Sequence, residues 1–418
     1  MRILFVHKFC PGQFSHLASA LAADSAHDVI FVSATVTEHI PGVTQRTISP
    51  KREASKGTHH YLQSLENAVL LGQAAYRECR KLIRQGFHPE VVYAHAGFGP
   101  GLFMRDAFPS TPLLGYFEWF YRSDDADADF LLPHGVSEDD RLRIRMRNAA
   151  LLIELMQCDM GVCPTTFQCA QFPSELRQKL VAIHDGVDTD FFRPTDRRAA
   201  RAALSISGLP ENAPIVTYAA RGLEPYRGFP QFMQAIAIVQ QFQPEVHAIV
   251  VGADRVYYSA PAPAGETYKS LMVKRLPHLD HRRLHFVDFL SRDAYRTVLQ
   301  ASAVHVYLTV PFVLSWSLIE AMASGCTIVA SDTAPVREVV TDNDTGLLAD
   351  LRHPSAIAER IMQALADADL SRRLGVAARA HAVNRYAVKT LLPQQRALLE
   401  GIAGSGVQPR TPADRIRA

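Results

Sequence analysis

The chain carries almost no excess of either charge. Its 44 Lys and Arg face 42 Asp and Glu, a formal net charge of +2, where a general nucleic-acid binder would be strongly basic. No nucleic-acid partner is expected, although net charge leaves room for a locally basic cleft. Cysteine chemistry is equally sparse. Cys10, Cys79, Cys158, Cys163, Cys169 and Cys326 form no C-x-x-C pair and fit no common zinc framework. They read as free thiols in a reducing compartment. No stretch approaches the roughly 18 apolar residues of a membrane span. The opening MRILFVHKF lacks a signal peptide's long apolar region and small-residue cleavage site, so a cytoplasmic location is expected. A G-x-G-x-x-G fingerprint is also missing, which leaves a Rossmann dehydrogenase poorly supported.

What is present is a soluble, globular composition, 48% hydrophobic and 21% charged over 418 residues, long enough for two domains with separate cores. Short apolar runs alternate with helical patterns. In the first half the candidate strands are 2–6, 28–34, 91–96, 112–118, 160–165 and 180–186; in the second they are 215–221, 247–253, 284–290, 304–310, 327–331 and 346–350. Continuous rather than alternating apolar runs indicate parallel strands covered on both faces. The segment 229–242 places Phe232, Ala235, Ile236 and Val239 at helical spacing. Two successive sets of such units predict an α/β protein of two Rossmann-like, doubly wound domains, joined near HDGVDTDFFRP (184–194), where Gly, Asp and Pro interrupt periodicity. The boundaries expected are 1–188, 189–375, a C-terminal helix over 376–401 that packs back on the first domain, and a loose tail over 402–418.

Three stretches carry chemistry. FVLSWSLIEAMASG (312–325) reads as a loop followed by a helix from about Ser315. With Leu318, Ala321 and Met322 facing the sheet, Trp316, Ser317 and Glu320 turn toward the open side. In doubly wound sheets ligands bind beyond the carboxyl ends of the strands, where helix N-termini offer N–H groups to anions. A phosphate could take the amides near Ser317 and Leu318, with Glu320 accepting from a sugar hydroxyl. The plainer reading, that Ser315 caps the helix and Glu320 is solvated, stays open from this stretch alone. RGLEPYRGF (221–229) follows a strand directly and sets Arg221 and Arg227 around a Pro-containing loop. Two guanidinium forks there suit a diphosphate, against the alternative of two solvated arginines in a turn. FCPGQFSHLASALA (9–22) follows the first strand, and Gly12 permits close approach of backbone to a ligand. His16 reads as a packed residue at a helix start.

The order of these features resembles the nucleotide-sugar glycosyltransferases of family 4: a glycine loop after strand one, HDGVDTDFF in the middle, R-x5-R, then LIEAMASGCTIVASDTAPVREVVTDNDTGLL. The resemblance spans nearly the whole chain and is strongest over about 183–350. FVHKFCPGQFSHLA further resembles a bacterial subgroup of that family. The resemblance implies a GT-B fold, two Rossmann-like domains facing across a cleft, with no required metal and no cofactor beyond a nucleoside diphosphate sugar as co-substrate. The N-terminal domain would take the acceptor and the C-terminal domain the donor. It implies a retaining transfer to a carbohydrate, lipid-linked or other hydroxyl acceptor, in cell-surface polysaccharide or glycoconjugate synthesis. By motif position Arg221 and Arg227 match the basic pair on the donor diphosphate, and Glu320 the second of two family glutamates, the one on the ribose. Gly12, Ser315, Trp316, Ser317 and Leu318 complete the donor-side candidates.

The sequence also departs from the family. Phe312 stands where a glutamate commonly touches the transferred sugar, and Ser315 takes a usual glycine position. Phenylalanine accepts no hydrogen bond, so the first-glutamate role is assigned to no residue. In YFEWFYRSDD (116–125), Glu118 stands where many members place a histidine, and could hold an acceptor hydroxyl or stabilise positive charge at the anomeric carbon; pairing of Glu118 with Arg122 is the alternative. His95, in YAHAGFGPG, lines the acceptor side with Glu118 and Arg122, or packs in the core. The basic stretch 141–156 reads as one helix, either a solvated edge or a rim that brings the protein to the inner face of a membrane. Rival readings are a sugar-nucleotide epimerase or glycosyl phosphorylase on the same scaffold, or a non-catalytic nucleotide-sugar sensor.

Overall fold

The structure, a computed structural model, describes residues 1–404; the remainder of the expected loose tail, from 405, lies outside the described residues. The chain divides into two compact units. The first comprises Met1–Ala128, His134–Gly186 and the chain from Val388; the second comprises Asp129–Pro133 and Val187–Ala387. The return to the first unit therefore comes at Val388 rather than at 376. The helix Ala368–Tyr386 runs through 376 without a break, and Leu374, Ala378 and Ala382 are fully buried. The following helix, Val388–Gly404, buries Leu399 and Ile402 among Ile3, Phe5 and Phe14 of the first unit.

The first unit holds strands β1 (Arg2–Cys10), β2 (Asp28–Val36), β3 (Val43–Thr47), β4 (Val91–His95), β5 (Leu113–Tyr116), β6 (Met160–Cys163) and β7 (Leu180–Ala182). They form one sheet in the order β3-β2-β1-β4-β5-β6-β7, every pair parallel. The run Ile3, Leu4, Phe5 and Val6 is wholly inaccessible to solvent, as expected of a strand covered on both faces. β3, VTQRT, has no fully buried residue, and its polar sequence suits the sheet edge it occupies. The expected single helix over 141–156 is two, Glu138–Arg147 and Ala149–Gln157. Buried Asn148 sits at the break, its Oδ1 accepting the Tyr121 N–H at 2.9 Å and its Nδ2 donating to the Tyr121 carbonyl at 2.8 Å.

The second unit holds β8 (Ile215–Gly222), β9 (His247–Ala253), β10 (Leu284–Val287), β11 (Val304–Tyr307), β12 (Ile328–Ser331) and β13 (Leu347–Ala349), in the order β10-β9-β8-β11-β12-β13, again all parallel. The helix Phe229–Phe242 has the bounds its periodicity predicts, and Phe232, Ala235, Ile236 and Val239 are completely buried. In both units the chain reverses its direction of winding beside the first strand, at β1/β4 and at β8/β11. Those reversals are where a doubly wound sheet opens a crevice beyond its strands' carboxyl ends.

Candidate active site

At the second unit's reversal, β8 ends on Arg221 and Gly222. A turn Pro225–Arg227 then leads through left-handed Gly228 (φ 64°) into the helix Phe229–Phe242. A Cβ on Gly228 would stand 2.5 Å from the Leu308 Cβ, so glycine lets the turn close onto the end of β11. Glu224 is wholly buried, and its carboxylate accepts the N–H groups of Tyr257 at 3.2 Å, Tyr258 at 2.9 Å and Ser259 at 2.7 Å. That stitch carries the loop after β9 to the loop after β8. It sets Tyr257 4.2 Å under the Arg221 guanidinium and Tyr258 5.2 Å from that of Arg227.

Arg227 is 6% exposed. Its Nη1 donates to Thr309 Oγ1 at 3.0 Å and to the Val313 carbonyl at 2.9 Å, and it makes no ion pair within hydrogen-bonding reach among the described residues. Burial works to lower its pKa, but Tyr307, Tyr258 and the Glu224 carboxylate outweigh it and raise the value. Arg227 thus stays cationic, and the Glu224 carboxylate that acts on it is occupied by backbone. Phe312 packs edge-on against Tyr226 at 5.4 Å and against Tyr258 at 5.1 Å, with the Arg227 guanidinium 5.5 Å from its ring. Phe312, at the position of the family glutamate, is therefore a wall of an aromatic enclosure around the cation.

The helix Trp316–Ala323 starts where expected, with Leu318, Ala321 and Met322 fully buried. Its first amides differ from the expectation. The Ser317 N–H donates to Ser315 Oγ and the Leu318 N–H to the Ser315 carbonyl, each at 3.3 Å. Ser315 is the N-cap, and its side chain satisfies a donor that the helix start leaves without a partner. An anion there competes with the cap instead of finding open N–H groups. Trp316 is 39% exposed. Glu320 is partly buried, and burial pushes its pKa up to about 7, against the pull of Arg292 and Tyr295.

At the first unit's reversal, Val6 pairs with Ala94, and the next residues, His7 and His95, bring their rings to 4.2 Å between centroids. The Phe9 N–H donates to His7 Nδ1 at 2.7 Å, so His7 Nε2 carries the proton and donates to Gln13 Oε1 at 2.9 Å. Gln13 Nε2 in turn donates to Glu118 Oε1 at 3.0 Å. Gly12 serves this network: its φ is +52°, and a Cβ would stand 3.0 Å from His7 Nε2. The glycine expected to admit a donor thus has a local reason, the folding of the Gln13 turn over His7. His95 Nδ1 faces the Ala96 carbonyl at 2.9 Å and is the protonated nitrogen. Its Nε2, buried and without a hydrogen-bond partner, lies 4.0 Å from Glu118 Oε2. Both rings are neutral. Burial lowers His7 to about 4 despite the Gln13 bond, and burial with the His7 neighbour lowers His95 far below its usual value.

Arg122 lines a cavity of about 350 Å³ with Phe120, Arg141 and Arg145. His7 and Gln13 were not among the sequence candidates. Their signal is the polar H…PGQ pattern that ends an apolar strand, next to Gly12. Among the described residues no group of three His, Cys, Asp or Glu side chains could hold a metal ion, and no helix is long and apolar enough to cross a membrane.

Two successive parallel doubly wound units, each with polar groups at its reversal, define the GT-B class. Residues 25–192 match the model of the glycosyl transferase family 4 group, and residues 201–381 that of the glycosyl transferases group 1. The chain belongs to the family 4 glycosyltransferases. Over 214 residues it is 30% identical to D-inositol 3-phosphate glycosyltransferase of Streptomyces scabiei, covering 49% of this chain and 45% of that one. The chain spans about half the length of the curated relatives it matches. In fold it is similar to sucrose-phosphate synthase of Thermosynechococcus elongatus (TM-score 0.72, 18% identity, 96% of this chain and 99% of that one). It is also similar to Anabaena HepE, solved in complex with UDP-glucose (TM-score 0.66, 18% identity, 96% and 100%).

Proposed function

We propose that the protein is a retaining glycosyltransferase that moves a sugar from a nucleoside diphosphate sugar to an acceptor hydroxyl, in the synthesis of a cell-surface polysaccharide or glycoconjugate. The observation that carries this reading is Arg227: a buried guanidinium at a sheet reversal, held on one edge by Thr309 and Val313. A buried cation calls for an anion, and with Arg221 at the same strand end the pair suits a diphosphate. In the transfer, the bond from anomeric carbon to diphosphate oxygen breaks and a bond to the acceptor oxygen forms. The acceptor's proton leaves with the diphosphate. Arg221 and Arg227 stabilise the charge that builds on the leaving oxygen. Glu320 takes a ribose hydroxyl, with Trp316 and the Ser315–Leu318 turn beside the phosphates. On the acceptor side Glu118 and His95 hold the hydroxyl, while Gln13 and His7 fix Glu118.

The location belongs to the same proposal: cytoplasmic, with contact to the inner membrane face for a lipid-linked acceptor. Leu142 and Arg145 are exposed on the helix Glu138–Arg147, whereas Arg141 and Arg143 pair with Asp124 and Asp140, so the surface offered to an anionic lipid is small.

The test is thermal unfolding of the full chain with a panel of nucleoside diphosphates and their sugars, because a ligand that binds only the folded state raises its stability. At least one nucleoside diphosphate should raise the melting temperature in the wild type, and its sugar should be consumed when acceptors are supplied. A panel without any response overturns the reading.

A further inference from the structure

The amino ends of β8, β11 and β12, the sheet edge opposite Arg221 and Arg227, border a cavity of about 540 Å³. Pro214 and Ala303 of its lining directly precede β8 and β11, and Gly325 follows the helix Trp316–Ala323. Arg197, Arg372 and Arg379 also line it, all within the second unit.

The charge around this cavity is unbalanced. Arg372 pairs with Asp369 at 2.7 Å on the surface. Arg197 makes no ion pair among the described residues, and one turn along its helix Arg201 buries Nε and Nη2 with no hydrogen-bond partner. Burial, and then the Arg197 charge, lower the pKa of Arg201. Burial likewise lowers that of Arg379, with Asp190 and Arg193 acting in opposite senses. Arg379 Nη1 donates to the carbonyls of Thr189 at 2.8 Å, Phe192 at 2.6 Å and Ala323. Carbonyl partners leave a guanidinium's full charge in place.

The same residues touch the donor-side helix from behind. Ala323 is the last residue of the helix that Ser315 caps and Glu320 sits on. Gly325 closes it with φ +77°, and a Cβ there would stand 2.9 Å from the Pro194 Cγ. A Cβ on Gly375 would stand 2.6 Å from the Gly325 carbonyl oxygen. Backbone thus lies on backbone, and a short rigid helix links the cavity to the opposite sheet edge over about 12 Å at 1.5 Å per residue.

We propose that this cavity is a second ligand site, for a small phosphorylated metabolite, and that its occupancy is transmitted to the donor site through Arg379 and the helix Trp316–Ala323. Guanidinium forks match phosphate oxygens. The prolines and Leu365 in the wall suit the organic part of an ester, and the volume exceeds what a bare phosphate fills. The binding half stands independently of the donor reading; the coupling half rests on it.

The test uses the full chain, titrated calorimetrically with glucose 6-phosphate, inorganic phosphate and the nucleoside diphosphate that responds above. Three proteins are compared: wild type, the double variant Arg197→Ala/Arg372→Ala, and Arg227→Ala. Arg197 and Arg372 are exposed and the Arg372–Asp369 pair lies on the surface, where ion pairs add little stability, so the double variant should melt as the wild type does. It should bind glucose 6-phosphate about tenfold or more weakly, a loss of about 1.4 kcal/mol, and still bind the nucleoside diphosphate. Arg227→Ala should do the converse. Saturating glucose 6-phosphate should change the nucleoside diphosphate Kd at least about threefold in the wild type, and not in the double variant. Wild type binding neither phosphate probe, a double variant binding glucose 6-phosphate at full affinity, or an Arg227→Ala variant unable to bind it overturns the site. Equal affinity for inorganic phosphate overturns the ester, and an unchanged nucleoside diphosphate Kd overturns the coupling.

Discussion

His95 Nε2 and Glu118 Oε2 lie 4.0 Å apart, and the imidazole nitrogen is a hydrogen-bond acceptor. Its ring partner Nδ1 donates to the Ala96 carbonyl, and burial beside His7 keeps the ring neutral. A hydroxyl brought to this side of the sheet can donate its one proton to His95 Nε2, which has no hydrogen-bond partner. In the proposed transfer that group is the acceptor hydroxyl, oriented here while its proton passes to the departing diphosphate. Glu118→Gln should lower turnover, followed as nucleoside diphosphate release, by about tenfold or more, the scale of one hydrogen bond to a charged group. Nucleoside diphosphate affinity should be unchanged, because the network belongs to the first unit. Turnover at the wild-type level would remove Glu118 from the chemistry.

Arg227 can be tested with more resolution than by deletion alone. Arg227→Ala should weaken nucleoside diphosphate binding by about 100-fold or more, the scale of two hydrogen bonds to charged groups. Arg227→Lys should recover less than about tenfold of that, because an ammonium cannot hold Thr309, Val313 and a phosphate with one planar fork. Circular dichroism on both variants separates lost binding from lost fold. Full recovery in the lysine variant would mean that charge alone matters there.

The parts of the fold that could be read from sequence were those with local causes. β1 and β9 are continuous apolar runs, and the helix Phe229–Phe242 has a clean period. β3 escaped because an edge strand of VTQRT has neither run nor alternation. The helix break at Asn148 depends on the backbone of Tyr121, which lies 27 residues away. The arginine pair and Glu320 were legible because strand ends and helix starts place them. The His7–Gln13–Glu118–His95 network was not, since it exists only once β1, β4 and β5 lie side by side. The aromatic enclosure of Phe312 likewise needs Tyr226 and Tyr258 from two other loops.

Glu320 gives the donor site a pH signature. Burial raises its pKa from 4.5 to about 7, so the acid is protonated below that value and a carboxylate above it. A ribose hydroxyl donates more strongly to the charged form, by roughly 1 kcal/mol. Affinity for a nucleoside diphosphate sugar, whose diester phosphates do not titrate in this range, should rise severalfold from pH 6 to pH 8. In Glu320→Gln the profile should be flat. A wild-type profile without a step near pH 7 would place the ribose elsewhere.

Glu154 carries a separate pH dependence, in stability. It lies on the helix Ala149–Gln157, 5% exposed, and accepts the Gly97 N–H that fixes the loop after β4. Burial pushes its pKa from 4.5 up to about 8, against the pull of the Gly97 and Gly101 amides. Between those values the folded chain keeps a proton that the unfolded chain releases. Stability therefore falls as pH rises through that window, at up to about 1.4 kcal/mol per pH unit. Below the window, folded and unfolded states are both protonated and the slope vanishes; above it, both are ionised. Glu154→Gln keeps an oxygen for the Gly97 N–H and has nothing to ionise. Urea unfolding at pH 5.5, 7 and 8.5 should show the wild type losing stability relative to the variant at each step, with the widest gap at pH 8.5. Parallel curves for the two proteins would mean that the buried carboxyl ionises at no cost, its charge relieved by more than the Gly97 amide.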